Sequence, residues 1–250
     1  MSSKVVYAIP SYGRSSTIAD KTLATLARGN VPLANIYVFI VQEEEEAYRK
    51  AIPRHQIQIG LKGLVEQRAF IQGFFSQDTY ILFCDDDLSK LSRVLDAKTS
   101  EEILDIPGLI SQMIMRMISE HVSICGIYPC DNKKFALGNP EVSTRFAYLV
   151  GAMYLIRNLR MPEVQLDVSD PASHEDKIRT IKYYQKEGKT LRYNWIQIKT
   201  KYFDKGGLDS PDRLSKHKSE AEALVTRFPQ YLRLAQTSKM IDAKFRRIKI

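Results

Sequence analysis

Over the first 90 positions, short apolar runs alternate with polar stretches that carry helical spacing. Val5-Val6-Tyr7-Ala8-Ile9 is rich in β-branched residues and stops at Pro10, Gly13 and a Ser/Thr cluster, which predicts a buried strand. From residue 17 to about 28, Ile18, Leu23, Leu26 and Ala27 recur at helical spacing, and Gly29 ends the run. Residues 36–41 predict a second strand, 42–52 a polar helix stopped by Pro53, and Ile57 with Ile59 a third strand. Residues 64–75 predict a helix and 79–84 a fourth strand, which stops at three consecutive carboxylates. This alternation predicts an α/β fold: a mostly parallel sheet flanked by helices. In such sheets ligands sit beyond the carboxyl ends of the strands. That rule singles out residues 10–14 and 85–87.

The later pattern is more varied. Residues 106–122 predict a helix, 123–128 a strand, and the apolar run 146–156 another strand. A helix over 177–187 is closed by Gly188, residues 190–201 are strand-like, and Gly206-Gly207 marks a turn. Residues 219–234 have helical spacing with Pro229 interrupting them. No repeat, low-complexity linker or clear domain boundary breaks the chain.

Composition sets limits. With 250 residues, 44% hydrophobic and 26% charged, the chain is long enough for a sizeable core, and disorder, collagen and coiled coil are excluded. No leader-like segment and no apolar window of membrane-spanning length is present, so the expected location is the cytoplasm, with no membrane partner. Cys84, Cys125 and Cys130 lack metal-site spacing and are expected to be buried, reduced thiols. The net charge of +8 is uneven: residues 177–250 hold 19 Lys and Arg against 7 Asp and Glu, leaving 18 against 22 before them. A basic C-terminal third implies a polyanionic partner there, or else a solvated basic surface serving a small anionic substrate. No protein partner is implied.

Three segments carry chemistry. Asp85-Asp86-Asp87 places mutually repelling carboxylates at the end of an apolar strand, a costly arrangement without a cation. Hard oxygen ligands of this kind suit Mg²⁺ or Mn²⁺, which could clamp the phosphates of a nucleoside diphosphate. The alternative is an acidic cap on a following helix. Ser173-His174-Glu175-Asp176 offers a carboxylate that could act as general base, or a capping box in which Ser173 pairs with Asp176. Pro10-Ser11-Tyr12-Gly13-Arg14 exposes backbone donors, an aromatic ring and a cation, a set that suits a nucleobase and phosphate but also occurs in plain turns.

Together, the turn after the first strand, the Asp triplet after the fourth and the later His-Glu-Asp resemble the GT-A fold of nucleotide-sugar glycosyltransferases, over residues 4–217. The resemblance implies an Asp-x-Asp motif in which Asp87 binds the metal while Asp85 contacts the metal or the donor nucleoside, with Asp86 between them. It implies that Pro10, Ser11, Tyr12 and Arg14 hold the donor, together with Arg68 of Glu66-Gln67-Arg68. It places Glu175-Asp176 on the x-Glu-Asp motif, with Asp176 the base of an inverting enzyme, and makes His217 a C-terminal metal ligand. His217 also reads as a solvated residue of the run Lys216-His217-Lys218. A narrower resemblance, through Thr200-Lys201, Gly206-Gly207, Arg213 and the lack of a membrane anchor, is to phage and kinetoplastid enzymes that glycosylate hydroxymethylated pyrimidines in DNA, hydroxymethylcytosine included.

These likenesses imply one GT-A-like domain over residues 1–250, with a basic extension from about 177 completing the acceptor side. They imply a hexose, glucose from a UDP-sugar, Mn²⁺ or Mg²⁺, and DNA as partner. Lys199, Lys201, Lys205, Arg213, Lys216 and Lys218 are the candidate phosphate contacts. For a bacteriophage chain, the location would be the host cytoplasm. The same donor site would equally serve a polysaccharide, lipid or protein acceptor. A non-catalytic nucleic-acid-binding module is the reading from another class.

Overall fold

The computed structural model describes residues 4–200, 213–236 and 240–246. The chain begins with β1 (Val5–Pro10), a π-helical segment (Ala19–Leu23) that continues as α1 (Ala24–Arg28), β2 (Ile36–Ile40), α2 (Glu45–Ala51), β3 (Gln56–Ile59), α3 (Leu64–Phe74) and β4 (Tyr80–Cys84). There follow β5 (Lys90–Val94), β6 (Ser100–Glu102), α4 (Ile106–Glu120), β7 (Ile124–Ile127), α5 (Lys133–Leu137), β8 (Val142–Ser143) and β9 (Met153–Arg157). The last elements are α6 (Glu175–Glu187), β10 (Leu191–Tyr193), β11 (Ile196–Lys199), α7 (Arg213–Arg227), β12 (Leu232–Gln236) and β13 (Ile241–Phe245).

The main sheet has eight strands in the order β3-β2-β1-β4-β9-β7-β10-β8. Strands β3, β2, β1 and β4 pair in parallel, as do β7 and β10, while β9 runs antiparallel between β4 and β7. Successive strand residues face opposite sides of the sheet. In β1, Tyr7 and Ile9 enter a core with Leu26 of α1 and Ile110, Met113 and Met117 of α4. Val6 and Ala8 enter the opposite core with Ile71 of α3, Phe83 and Tyr154. Both faces are therefore covered, which is why β1, β2 and β4 read as continuous apolar runs.

Three predicted elements are corrected by the structure. The run 146–156 is a strand only from Met153. Before it, the amides of Ala147 and Leu149 donate to the Thr190 and Thr180 hydroxyls, so this segment crosses α6 and does not pair in the sheet. The helix predicted over 219–234 instead spans Arg213–Arg227 and stops ahead of Pro229, which disfavours helical backbone at Phe228. Residues from Leu232 form a hairpin with β13. Residues 190–201 divide into β10, in the main sheet, and β11, which pairs with β5 in a three-stranded sheet.

Residues 177–199 thus belong to the body of the fold. Helix α7 and the β12–β13 hairpin pack on α6 through Ile178, Ile181, Ala221, Leu224, Leu232 and Ala243. Gly206-Gly207 lies outside the described residues. Cys84 and Cys125 are buried free thiols, but Cys130 is exposed, in the turn after β7. No helix among the described residues is long and apolar enough to cross a membrane.

Candidate active site

The triplet follows β4 at the carboxyl edge of the sheet. A turn and then β5 follow it, and no helix does, so the acidic-cap alternative has nothing to cap. Thr22 holds this turn from both sides: its hydroxyl donates to the Asp85 carbonyl (2.7 Å) and accepts from the Leu88 amide (2.9 Å).

The three carboxylates do not converge on one spot. Asp86 is buried, accepts from the Ser11 hydroxyl (2.5 Å) and pairs with Arg14 (2.6 Å). Arg14 also reaches Asp87 Oδ2 at 3.0 Å. Asp85 faces the other way, where Arg68 lies 3.1 Å from its Oδ1. Asp86 therefore ties the first turn to the triplet, and Asp85 and Asp87 keep partly exposed carboxylates.

The recessed position of Asp85, together with Asp86, Asp87 and Glu175, pushes its carboxyl up to about 7 against the pull of Arg68. Asp87 is raised as well, by burial and by Asp86, with Arg14 opposing. Two neighbouring carboxylates raised in this way mark a place short of positive charge. A divalent cation supplies that charge, so the residues present fit Mn²⁺ or Mg²⁺.

The turn between β1 and the π-helical segment is built as an aromatic and polar lip. Pro10 ends β1 in register with Phe39, and the Ser11 hydroxyl lies 2.6 Å from the Tyr48 hydroxyl. The Gly13 amide donates to Glu44 Oε1 (2.8 Å). The ring of Tyr12 is exposed, with Lys62 Nζ 5.6 Å from its centre. Tyr48, Glu44 and Lys62 gave no sequence signal, because they come from α2, the turn before it and the turn before α3.

Helix α3 carries Arg68 into the interior. Its guanidinium donates to Asp85, to the Gly151 carbonyl (2.9 Å) and to Glu175. Glu175 is 3% exposed and is also held by Arg179 Nη1 at 2.5 Å. Both guanidiniums lie over Tyr154, which is stacked on Phe83. Glu175, expected as a catalytic partner, thus sits in a buried ion-pair network. Asp176 is one residue further along α6 and partly exposed. Its Oδ2 accepts from the Tyr148 hydroxyl and from the Gly151 amide at 3.3 Å. Burial first, then Asp176, push the Tyr148 phenol well up, so it stays protonated and donates.

The capping-box alternative is not what forms: Ser173 Oγ bonds to His174 Nδ1 and to Glu220. Gly151 is hemmed in, since a Cβ there would lie 2.7 Å from Glu175 Oε1 and 3.0 Å from Arg68 Nη1.

Among the basic candidates, Lys199 is exposed at the end of β11, and its carbonyl accepts from the amide and hydroxyl of Ser89, two residues past Asp87. Lys216 and Lys218 are exposed on α7 and loosely paired with Glu220 and Glu222, each at 3.9 Å. Arg213 opens α7, and its side chain lies outside the described residues, as do Lys201 and Lys205. His217 is brought to His174 and Asp242, its Nε2 3.4 Å from Asp242 Oδ1.

A mostly parallel sheet with an acidic strand end, a buried Arg behind it and a carboxylate at the start of a later helix defines a GT-A glycosyltransferase. A family model for TET-associated glycosyltransferases matches residues 5–205, and the chain belongs to that family. Among curated proteins, none matches the chain by sequence.

Solved structures share the fold. Staphylococcus aureus TarS, residues 1–349, is 14% identical with a TM-score of 0.53, covering 89% of this chain and 65% of its own. Glucosyl-3-phosphoglycerate synthase of Mycobacterium tuberculosis, with Mn²⁺, UDP and glucosyl-3-phosphoglycerate, is 11% identical with a TM-score of 0.54, covering 98% and 88%. The mannosyltransferase PcManGT of Pyrobaculum calidifontis, with GDP-mannose and Mn²⁺, is 10% identical with a TM-score of 0.55, covering 91% and 63%. The chain thus spans less than two thirds of the TarS and PcManGT chains.

Proposed function

We propose that this chain transfers a hexose from a nucleoside-diphosphate sugar, glucose from UDP-glucose, to the hydroxyl of a 5-hydroxymethylpyrimidine in DNA. One observation supports the reaction: the backbone of Asp85 and the carboxylate of Asp176 are both tied to the dipeptide Gly151-Ala152. The Asp85 amide donates to the Ala152 carbonyl (2.9 Å), and the Gly151 amide donates to Asp176. Asp85 and Asp176 are therefore tied to adjacent residues of one short span of backbone, which supports a donor side and an acceptor side meeting there.

Asp87 would hold the divalent cation, with Asp85 beside it, and the ion when bound would supply positive charge to a diphosphate leaving group. Tyr12, Ser11 and Arg14 border the donor, and Arg68 steadies Asp85. Asp176 takes the acceptor's proton, the acceptor oxygen bonds to the anomeric carbon, and the bond to the diphosphate oxygen breaks on the opposite face, with inversion. Fold-level likeness to proteins holding UDP or GDP-mannose with Mn²⁺ supports the donor class and the cation. The basic excess after residue 176 and exposed Lys199, Lys216 and Lys218 support a polyanionic acceptor.

The test is mass spectrometry of nucleosides after incubation of hydroxymethylated DNA with UDP-glucose and Mn²⁺. A hexosylated nucleoside that requires the cation and disappears in Asp87→Ala is expected. Cation-dependent donor hydrolysis without DNA transfer would retire the DNA acceptor alone. Full activity of Asp87→Ala in excess chelator would retire the whole reading.

A further inference from the structure

A second group of metal-ligating side chains meets where α6, α7 and β13 join. His174 ends the turn before α6 and is fully buried, His217 lies on α7, and Asp242 on β13. One ligand atom from each lies within 4.8 Å of the others. Asp242 Oδ1 is 3.3 Å from His174 Nε2 and 3.4 Å from His217 Nε2. No hydrogen bond or ion pair among the described residues joins these three to Asp85, Asp86 or Asp87.

The hydrogen bonds show how the rings are held. Ser173 Oγ gives its proton to the Glu220 carboxylate, so it can only accept from His174 Nδ1, 2.6 Å away. His174 Nε2 then faces Asp242 Oδ1, so two atoms of metal-ligating type point at one another. His217 Nε2 is buried and makes no hydrogen bond to a described residue. Lys177 Nζ also reaches Asp242 Oδ1, at 2.7 Å.

We propose that His174, His217 and Asp242 form a protein-only centre for one divalent transition ion of the zinc class, separate from the donor's cation. Two imidazoles and a carboxylate suit such an ion better than Mg²⁺. Metal–ligand bonds of about 2.0–2.1 Å in a tetrahedral array place ligand atoms about 3.4 Å apart, close to the two separations found. The outer contacts fit as well, with Ser173 and Glu220 orienting His174 and Lys177 orienting Asp242. Three protein ligands leave a fourth position for water. The centre fastens α7 and the C-terminal hairpin to the helix start that carries Asp176. It gives His217 a different ion from the one the GT-A resemblance implied, and it does not depend on the glycosyltransferase reading.

The test uses the full chain, stripped with chelator and titrated with Zn²⁺ alone, without nucleotide. Bound zinc is counted by elemental analysis, and Co²⁺ absorption reports the ligand field. Wild type is expected to hold one zinc equivalent that His217→Gln and Asp242→Asn each lose and Asp87→Ala keeps. Thermal unfolding should shift upward with zinc in wild type and Asp87→Ala only. His217→Gln retains size and polarity, and circular dichroism confirms folding before counting. Zinc that survives both substitutions, zinc lost in Asp87→Ala, or no zinc bound by wild type would overturn the proposal.

Discussion

Asp176 opens α6 with one oxygen turned to Tyr148 and Gly151 and the other accepting from the Lys177 amide at 2.8 Å. Replacing it by Asn keeps shape and removes the proposed base. Asp176→Asn should therefore lower kcat by roughly 10²-fold or more while donor KM changes little, measured by steady-state transfer kinetics. Asp85 makes a different prediction. Its carboxyl rises from 3.8 to about 7 in the folded chain, so the folded state holds that proton more tightly than the unfolded one. Its ionisation then costs stability progressively as pH climbs from about 4 to about 7. In chelator at about pH 8, Asp85→Asn should melt above wild type, the gap should narrow as pH falls and close only below about pH 4, and saturating Mn²⁺ at the higher pH should raise wild type alone. Differential scanning calorimetry decides it. The sequence showed the triplet because three adjacent carboxylates are costly in any fold. It did not show that they separate, since that follows from Ser11, Arg14 and Arg68 arriving from other strands and helices.

Helices α3 and α6 are joined by Arg68 and Glu175, and Arg179 on α6 completes the pair. Breaking a buried ion pair by neutralising one partner leaves uncompensated charge and typically costs about 3–5 kcal/mol. Glu175→Gln is expected to destabilise the chain on that scale in chemical denaturation, with Asp176→Asn close to wild type. Apolar periodicity made β1 to β4 and α1 to α4 legible, because doubly covered strands must be apolar throughout. It failed where side chains replaced backbone pairing, as at residues 146–152, where the amides of Ala147, Leu149 and Gly151 go to Thr190, Thr180 and Asp176. It also missed β5 and β6, short strands rich in polar residues whose hairpin is closed by Asp96 accepting from the Lys98 and Thr99 amides. Gly151 gave no signal because its need for hydrogen in place of a side chain comes from Arg68 and Glu175, both distant in sequence.

Across the whole molecule, charge is sorted along the chain, with the excess of Lys and Arg after residue 176. Lys216 and Lys218 stand on the exposed side of α7, where ion pairs with Glu220 and Glu222 are loose and screened by solvent. If DNA is met there, log Kd should rise with log salt by about 0.9 for each phosphate neutralised. Lys216→Glu with Lys218→Glu should flatten that slope and raise KM for DNA while leaving donor hydrolysis intact, as read from filter binding and hydrolysis across a salt series. The charge asymmetry was legible from residue counts, and the exposure of Lys216 and Lys218 on α7 needed the structure.

Arg68 is one guanidinium shared by Asp85, the Gly151 carbonyl and Glu175 on the helix that carries Asp176. In the proposed donor site, a cation at Asp85 would compete with Arg68 for that carboxylate and free part of the guanidinium's charge for Glu175. The two substrates then sense one another, and thermodynamic reciprocity requires each to change the other's affinity by the same factor. Calorimetric titration of UDP with and without acceptor measures that factor, and Arg68→Lys, which lacks the fork needed to span three partners, should bring it toward unity. Departure of the nucleotide would return Arg68 to Asp85, so release of one product should set the grip on the other.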